Sequence, residues 1–111
     1  MNYRHAFHAG NHADVLKHVV LLALCDALTA KPAPLFALDT HAGRGLYALD
    51  GSAARRTEES AGGVEKLPLK AAMPAALKRY RDAVAACRGV HSPRAYPGSP
   101  WLLAHALRTQ D

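Results

Sequence analysis

One short apolar run, Leu35-Phe36-Ala37-Leu38, ends in Asp39, turns through Gly43 and Gly45, and enters a new apolar pattern at Leu46-Tyr47. A strand that runs into a tight glycine turn reads this way. In open α/β sheets, ligands bind just beyond the carboxyl end of such a strand. Glycine tolerates φ > 0 and lets a ligand come close to the backbone. Asp39 stands at the strand tip, where a carboxylate meets a cofactor or holds the loop. An ordinary turn uses the same two glycines, so the pattern alone does not choose.

The run also sets a problem. It is the one convincing strand in 111 residues, and buried backbone groups need partners. The chain therefore either pairs across molecules or is part of a longer sheet protein. The stop at Thr109-Gln110-Asp111, straight after a helical pattern, favours the longer protein, in which a parallel strand comes next.

The flanking segments read as helices. Asn11 is placed to cap a helix. Val15, Leu16, Val19, Val20, Leu22, Ala23, Ala27 and Leu28 then give it a broad apolar stripe. Asn11, Asp14, Lys17 and His18 share a polar side near its start. Thr29 to Pro34 forms a loop. Leu46 to Leu49 is expected to begin a short helical turn. Thr57-Glu58-Glu59 and Gly62-Gly63 suggest a loop and a helix start. Met73 to Cys87 is a second helix with Pro74 in its first turn and Gly89 as its stop. Tyr96-Pro97-Gly98-Ser99-Pro100 is a rigid turn into a last helix, Trp101 to Arg108, with Ser99 as cap and Pro100 at the first helical position.

The chain carries 14 Lys and Arg against 9 Asp and Glu, a formal net charge of +5. The excess concentrates between Lys66 and Gln110, where Lys66, Lys70, Lys78, Arg79, Arg81, Arg88, Arg94 and Arg108 face Asp82 alone. That favours an anionic partner such as RNA, with a solvated helical face as the plain alternative. Cys25 and Cys87 form no C-x-x-C and are expected to be buried, reduced thiols. No signal peptide is visible, and Val19 to Leu28 is too short to span a bilayer, so a cytoplasmic location is expected.

Residues Met1 to Gly10 mix aromatic, basic and imidazole groups without helix or strand period. Such a tail must dock on something, over a ligand pocket or simply on the core. His5, His8, His12 and His18 crowd this end, and His41 lies in the glycine loop. A metal site is one reading, but no H-E-x-x-H is present. Hydrogen bonding around a polar ligand is another, since neutral imidazole both donates and accepts.

Three ordered blocks resemble the bacterial 23S rRNA (adenine-N6) methyltransferase J family. The first is Tyr3-Arg4-His5-x-Phe7-His8-Ala9-Gly10-Asn11-His12-Ala13-Asp14-Val15-Leu16-Lys17-His18, similar to the family's start. The second, Leu38-Asp39-Thr40-His41-Ala42-Gly43-x-Gly45-x-Tyr47, is similar to its cofactor loop. The third is Tyr96-Pro97-Gly98-Ser99-Pro100, followed by Arg108-x-Gln110-Asp111. The resemblance covers this whole chain but only the N-terminal part of the family.

It implies an α/β fold, the N-terminal portion of a Rossmann-like S-adenosylmethionine-dependent methyltransferase with an inserted helical subdomain. Residues 1–50 would hold the tail, first helix, first strand and cofactor loop. Residues 51–94 would be the insertion, and 95–111 the return turn and helix. By motif, His18, His41 and Ser99 would contact S-adenosylmethionine, with Lys17 beside them. Asp39, Gly43 and Gly45 would bend around the cofactor, and Tyr3 would meet the 23S rRNA substrate.

The chain also departs from the family pattern. Amino-methyltransferases of this kind use D/N-P-P-Y/F, whose acid and backbone carbonyl orient the adenine amine for in-line transfer. No Pro-Pro pair occurs here. The expectation is an N-terminal fragment of an rRNA adenine-N6 methyltransferase with no catalytic residue of its own, inactive alone. A non-catalytic RNA-binding module is the alternative, and a His-based metal hydrolase a third reading.

Overall fold

The computed structural model describes residues 4–51, 59–67 and 72–111. Tyr3, Lys70 and the expected loop at Thr57-Glu58 lie outside them. Helix α1 is His12–Thr29. It starts as the sequence predicts, with the Asn11 side chain accepting the Asp14 N–H at 2.8 Å. Strand β1, Leu46–Ala48, is followed by helix α2, Ala75–Val90, strand β2, Ala95–Pro97, and helix α3, Ser99–Ala106. Single 3-10 turns occupy His5–Phe7, Glu59–Gly62 and Val64–Lys66. The two strands pair antiparallel, Tyr47 opposite Tyr96.

One core joins these elements. Leu22 of α1, Tyr80 of α2, Tyr96 of β2 and Leu102 of α3 are 0% exposed, with Tyr47 and Leu49 closing over them. Burying each such side chain contributes roughly 1.5–3 kcal/mol. Cys25 and Cys87 are buried free thiols, as expected.

Helix α1 departs from its sequence pattern. Its buried face is Asp14, His18, Leu22 and Cys25. Asp14 and His18 of the polar side at its start therefore face inward, because the tail and β2 bring them hydrogen-bond partners, while Lys17 stays exposed. The cost falls on the far side, where Leu16, Val20, Leu24 and Leu28 recur every fourth residue and remain 49–66% exposed.

The expected strand at Leu35 to Asp39 is not formed. Residues 34–39 are irregular, and Phe36 and Leu38 are 88% and 74% exposed. No strand lies beside them among the described residues, so apolar sequence without a ladder partner does not become β. The strands lie instead at 46–48 and 95–97, and Leu46 opens β1 rather than a helical turn. The Gly98 N–H bonded to the Gly45 carbonyl at 2.7 Å draws these segments together.

Two helix ends also move. Helix α2 runs through Gly89 to Val90, with Pro74 at its cap position. Helix α3 begins at Ser99, two residues before its apolar pattern, with Gly98 at the cap position and Pro100 as second residue. Ser99 does not cap: its hydroxyl is engaged elsewhere.

The segment before residue 36 is held by a clamp. The Arg108 guanidinium donates to the carbonyls of Thr29, Lys31 and Ala33 at 3.1, 2.6 and 2.9 Å. Asp111 accepts from Arg108 and, through Oδ1, from the Leu35 N–H at 3.0 Å. Arg108 in turn holds the Asp111 carboxyl well below the usual carboxylate range. The clamp satisfies carbonyls at the end of α1 and in the loop after it, and the Leu35 N–H.

Candidate cofactor site

The glycine loop is shaped by its backbone. Gly43 and Gly45 have φ of 65° and 79°, the left-handed region that disfavours side chains. A Cβ at Gly98 would stand 3.1 Å from both Gly45 Cα and Tyr47 Cε2. The loop is thus pressed against the start of α3. Asp39 fastens the same two pieces: Oδ1 accepts the His41 N–H at 3.1 Å, an Asx turn, and Oδ2 accepts the Ser99 hydroxyl at 2.5 Å.

Behind the loop, the inner face of α1 is a buried polar cluster. Asp14 Oδ2 accepts the Gly10 N–H and lies 3.1 Å from His5 Nε2. Asp14 Oδ1 is 3.2 Å from Lys17 Nζ and 3.8 Å from His18 Nε2. Burial is the strongest influence on Asp14 and opposes its charge. The hydrogen bonds from His5 and Gly10, with the field of His18, outweigh it and hold the carboxyl below its ordinary range. Burial pushes the His18 imidazole down from 6.5 to about 4, against the pull of Asp14, so His18 is neutral at pH 7. Its Nε2 is buried with no hydrogen-bond partner.

Two cavities meet here. One of about 450 Å³ runs between α1, residues 35–41 and α3, with Leu21, Leu24 and Leu103 among its apolar walls. The other, about 390 Å³, lies beneath the glycine loop beside His5, Tyr47 and Gly98. Lys17, His18, His41 and Ser99 line both, and so mark their junction.

The candidate residues from the sequence are thus gathered. Asp39 lines the first cavity and Gly43 the second, whereas Gly45 packs against Pro100 outside both. The sequence places Asp14 on the polar side of α1 and Tyr96 in the third motif block but assigns neither a role at the site. The four-residue step from Asp14 to His18 was the available signal. Among the described residues, no group of three His, Cys, Asp or Glu is placed to hold a metal ion. The basic stretch is partly engaged internally: Arg79 pairs with Asp26, and Arg88 and Arg94 both pair with Glu65. Among the described residues, no helix is long and apolar enough to cross a membrane.

Comparisons with known proteins agree on one relationship. A family model described as "Ribosomal RNA large subunit methyltransferase D, RlmJ" matches residues 32–111. The chain is 43% identical over 111 residues to "Ribosomal RNA large subunit methyltransferase J" of Escherichia coli (strain K12), covering 100% of this chain and 40% of that protein. It is 40% identical over 112 residues to the protein of the same name from Haemophilus influenzae, again 40% of its length. A crystal structure of a Legionella pneumophila protein matches with a TM-score of 0.73 and 36% identity, over 93% of this chain and 38% of that one. The chain spans about two fifths of the length of these relatives.

Proposed function

The chain belongs to the RlmJ family of ribosomal RNA large subunit methyltransferases, and on that premise we propose that it supplies the cofactor-binding part of an S-adenosylmethionine-dependent 23S rRNA adenine-N6 methyltransferase. One observation carries the reading: Lys17, His18, His41 and Ser99 converge where the two cavities meet. The cavities suit the cofactor chemically. Apolar walls such as Leu21 and Leu103 accept an adenine ring, and Lys17 and the neutral His18 offer charge and hydrogen bonding to the amino-acid end. The His18 ring lines both cavities, and its buried Nε2 has no hydrogen-bond partner. Bound there, S-adenosylmethionine would supply an electrophilic methyl group on sulfonium.

The chain's own residues do positioning work. Asp39 fixes the glycine loop to α3, Gly43 and Gly45 keep the backbone free of side chains, and Asp14 sets the local charge. Residues 51–94 would form the inserted helical subdomain, and Tyr3 would meet the RNA. A cytoplasmic location belongs to the same reading. The 111 residues contain no D/N-P-P-Y/F sequence, so the chain should bind cofactor without transferring methyl groups.

Calorimetry tests this directly. S-adenosylmethionine titrated into the folded chain should bind, with affinity falling at least tenfold in His18→Ala. An absence of binding by chain that circular dichroism shows to be helical would overturn the reading. The RNA-binding alternative predicts salt-dependent RNA affinity without cofactor binding. The internal pairing of Arg79, Arg88 and Arg94 weighs against it.

A further inference from the structure

We propose that Tyr80 and Tyr96 form a buried hydroxyl relay that holds His18 as its Nε2–H tautomer, a fixed hydrogen-bond donor at the junction of the two cavities. Tyr80 and Tyr96 are both 0% exposed, and their hydroxyl oxygens are 2.8 Å apart. The Tyr96 hydroxyl is also 3.3 Å from His18 Nδ1. Three polar atoms thus lie in a row, reaching from α2 through β2 to α1.

The direction of the row follows from what each atom can do. A buried hydroxyl proton needs an acceptor. Among the described residues, the acceptor for Tyr80 is the Tyr96 oxygen. Tyr96 then receives one proton and must direct its own elsewhere. Two acceptors are within its reach, the Asp14 carboxylate and His18 Nδ1 at 3.3 Å, and the relay assigns the proton to Nδ1. A neutral imidazole whose Nδ1 accepts carries its proton on Nε2.

The surroundings of Nε2 agree. It faces Asp14 Oδ1 at 3.8 Å; Nε2 has no hydrogen-bond partner, while Oδ1 is ion-paired with Lys17 Nζ at 3.2 Å. An Nε2–H is attracted to that carboxylate, while an Nε2 lone pair would be repelled by it. The separation is too long for a bond, so the N–H is left without an acceptor in the structure. Tyr80 and Tyr96 are positioning residues in this scheme: they touch His18, not the ligand. The acceptor class is an anionic or carbonyl oxygen, which on the cofactor reading is the amino-acid carboxylate of S-adenosylmethionine. The relay stands on geometry, and only its use rests on that reading.

The test is nitrogen-15 spectroscopy of the His18 ring in the 111-residue chain at pH 7, without cofactor. The expected result is protonated Nε2 and unprotonated Nδ1. A protonated Nδ1 would overturn the relay, because Tyr96 would then be donating to Asp14. Tyr96→Phe should shift the ring toward the Nδ1–H tautomer. Tyr80→Phe should leave Nε2–H dominant, because the link from Tyr96 to His18 survives. An unchanged tautomer in folded Tyr96→Phe would also count against the proposal. Calorimetry with S-adenosylmethionine separates the two readings: Tyr96→Phe should bind about tenfold more weakly. If wild-type chain with Nε2–H His18 binds no cofactor, the cofactor reading fails and the relay stands.

Discussion

The Ser99 hydroxyl donates to Asp39 Oδ2 across 60 positions of sequence, while Asp39 Oδ1 holds the His41 N–H. One carboxylate therefore ties the glycine loop to α3, beside the Gly98–Gly45 backbone bond. The same carboxylate lines the larger cavity.

Asp39→Ala should release both attachments. Ser99→Ala removes one and leaves the Asx turn. We expect Ser99→Ala to lower stability by about 1 kcal/mol, as for a half-exposed hydrogen bond to a charged group. Asp39→Ala should cost more and weaken S-adenosylmethionine binding at least tenfold. Denaturant titration and calorimetry measure the two effects; equal stability in all three chains would show that the link is idle.

His18 predicts an acid sensitivity. The folded protein resists a proton that the unfolded chain accepts near 6.5, because burial lowers the imidazole to about 4. Its contribution is fully present above pH 6.5 and is lost as pH falls from 6.5 toward 4. Asp14 adds a second loss at lower pH, since its carboxyl is also held below its ordinary value. Stability measured across pH 7 to 4 should decline in wild type and decline less in His18→Gln. A flat wild-type curve over that window would contradict the assignment.

Two glycines should respond oppositely to alanine. Gly45 has φ of 79°, and its added Cβ would lie 3.4 Å from Pro100. Gly45→Ala should destabilise by roughly 1–2 kcal/mol. Gly89 lies inside α2 with nothing within 4 Å of an added Cβ. Gly89→Ala should stabilise by up to about 1 kcal/mol. Thermal melts of the two variants should move in opposite directions.

The apolar face of α1 gives a solubility prediction. Leu16→Glu, at a side chain 66% exposed and outside both cavities, should leave the melting temperature nearly unchanged and reduce self-association in sedimentation experiments. Leu22→Ala, at a side chain 0% exposed, should cost about 2–5 kcal/mol. If both variants lose stability equally, the face is not free.

The sequence makes α1 legible because cap and stripe act locally: Asn11 meets Asp14 three residues on. The short strands were not legible. Leu46–Ala48 has three residues, too few for a period, and forms only because Ala95–Pro97 returns beside it. The run at Leu35 to Asp39 shows the reverse, a strand-like sequence without a neighbour. Ser99 looked like a cap because local pattern cannot reveal Asp39 reaching it. The meeting of Lys17, His18, His41 and Ser99 came from family-like motifs, not periodicity. Tyr80 and Tyr96 stayed hidden because buried phenols resemble ordinary core residues until their oxygens are seen together.

The contact between Leu35 and Asp111 has a consequence in time. The two residues are 76 positions apart, and Asp111 also orients the guanidinium that holds the carbonyls of Thr29 through Ala33. At cellular translation rates that interval lasts on the order of 4–15 s. During it, Phe36 and Leu38 are already synthesised, while their anchor is not. The large cavity therefore gains its outer wall only at the close of this stretch of synthesis. The cavity beside α1 is therefore completed well after the helix that borders it has been synthesised.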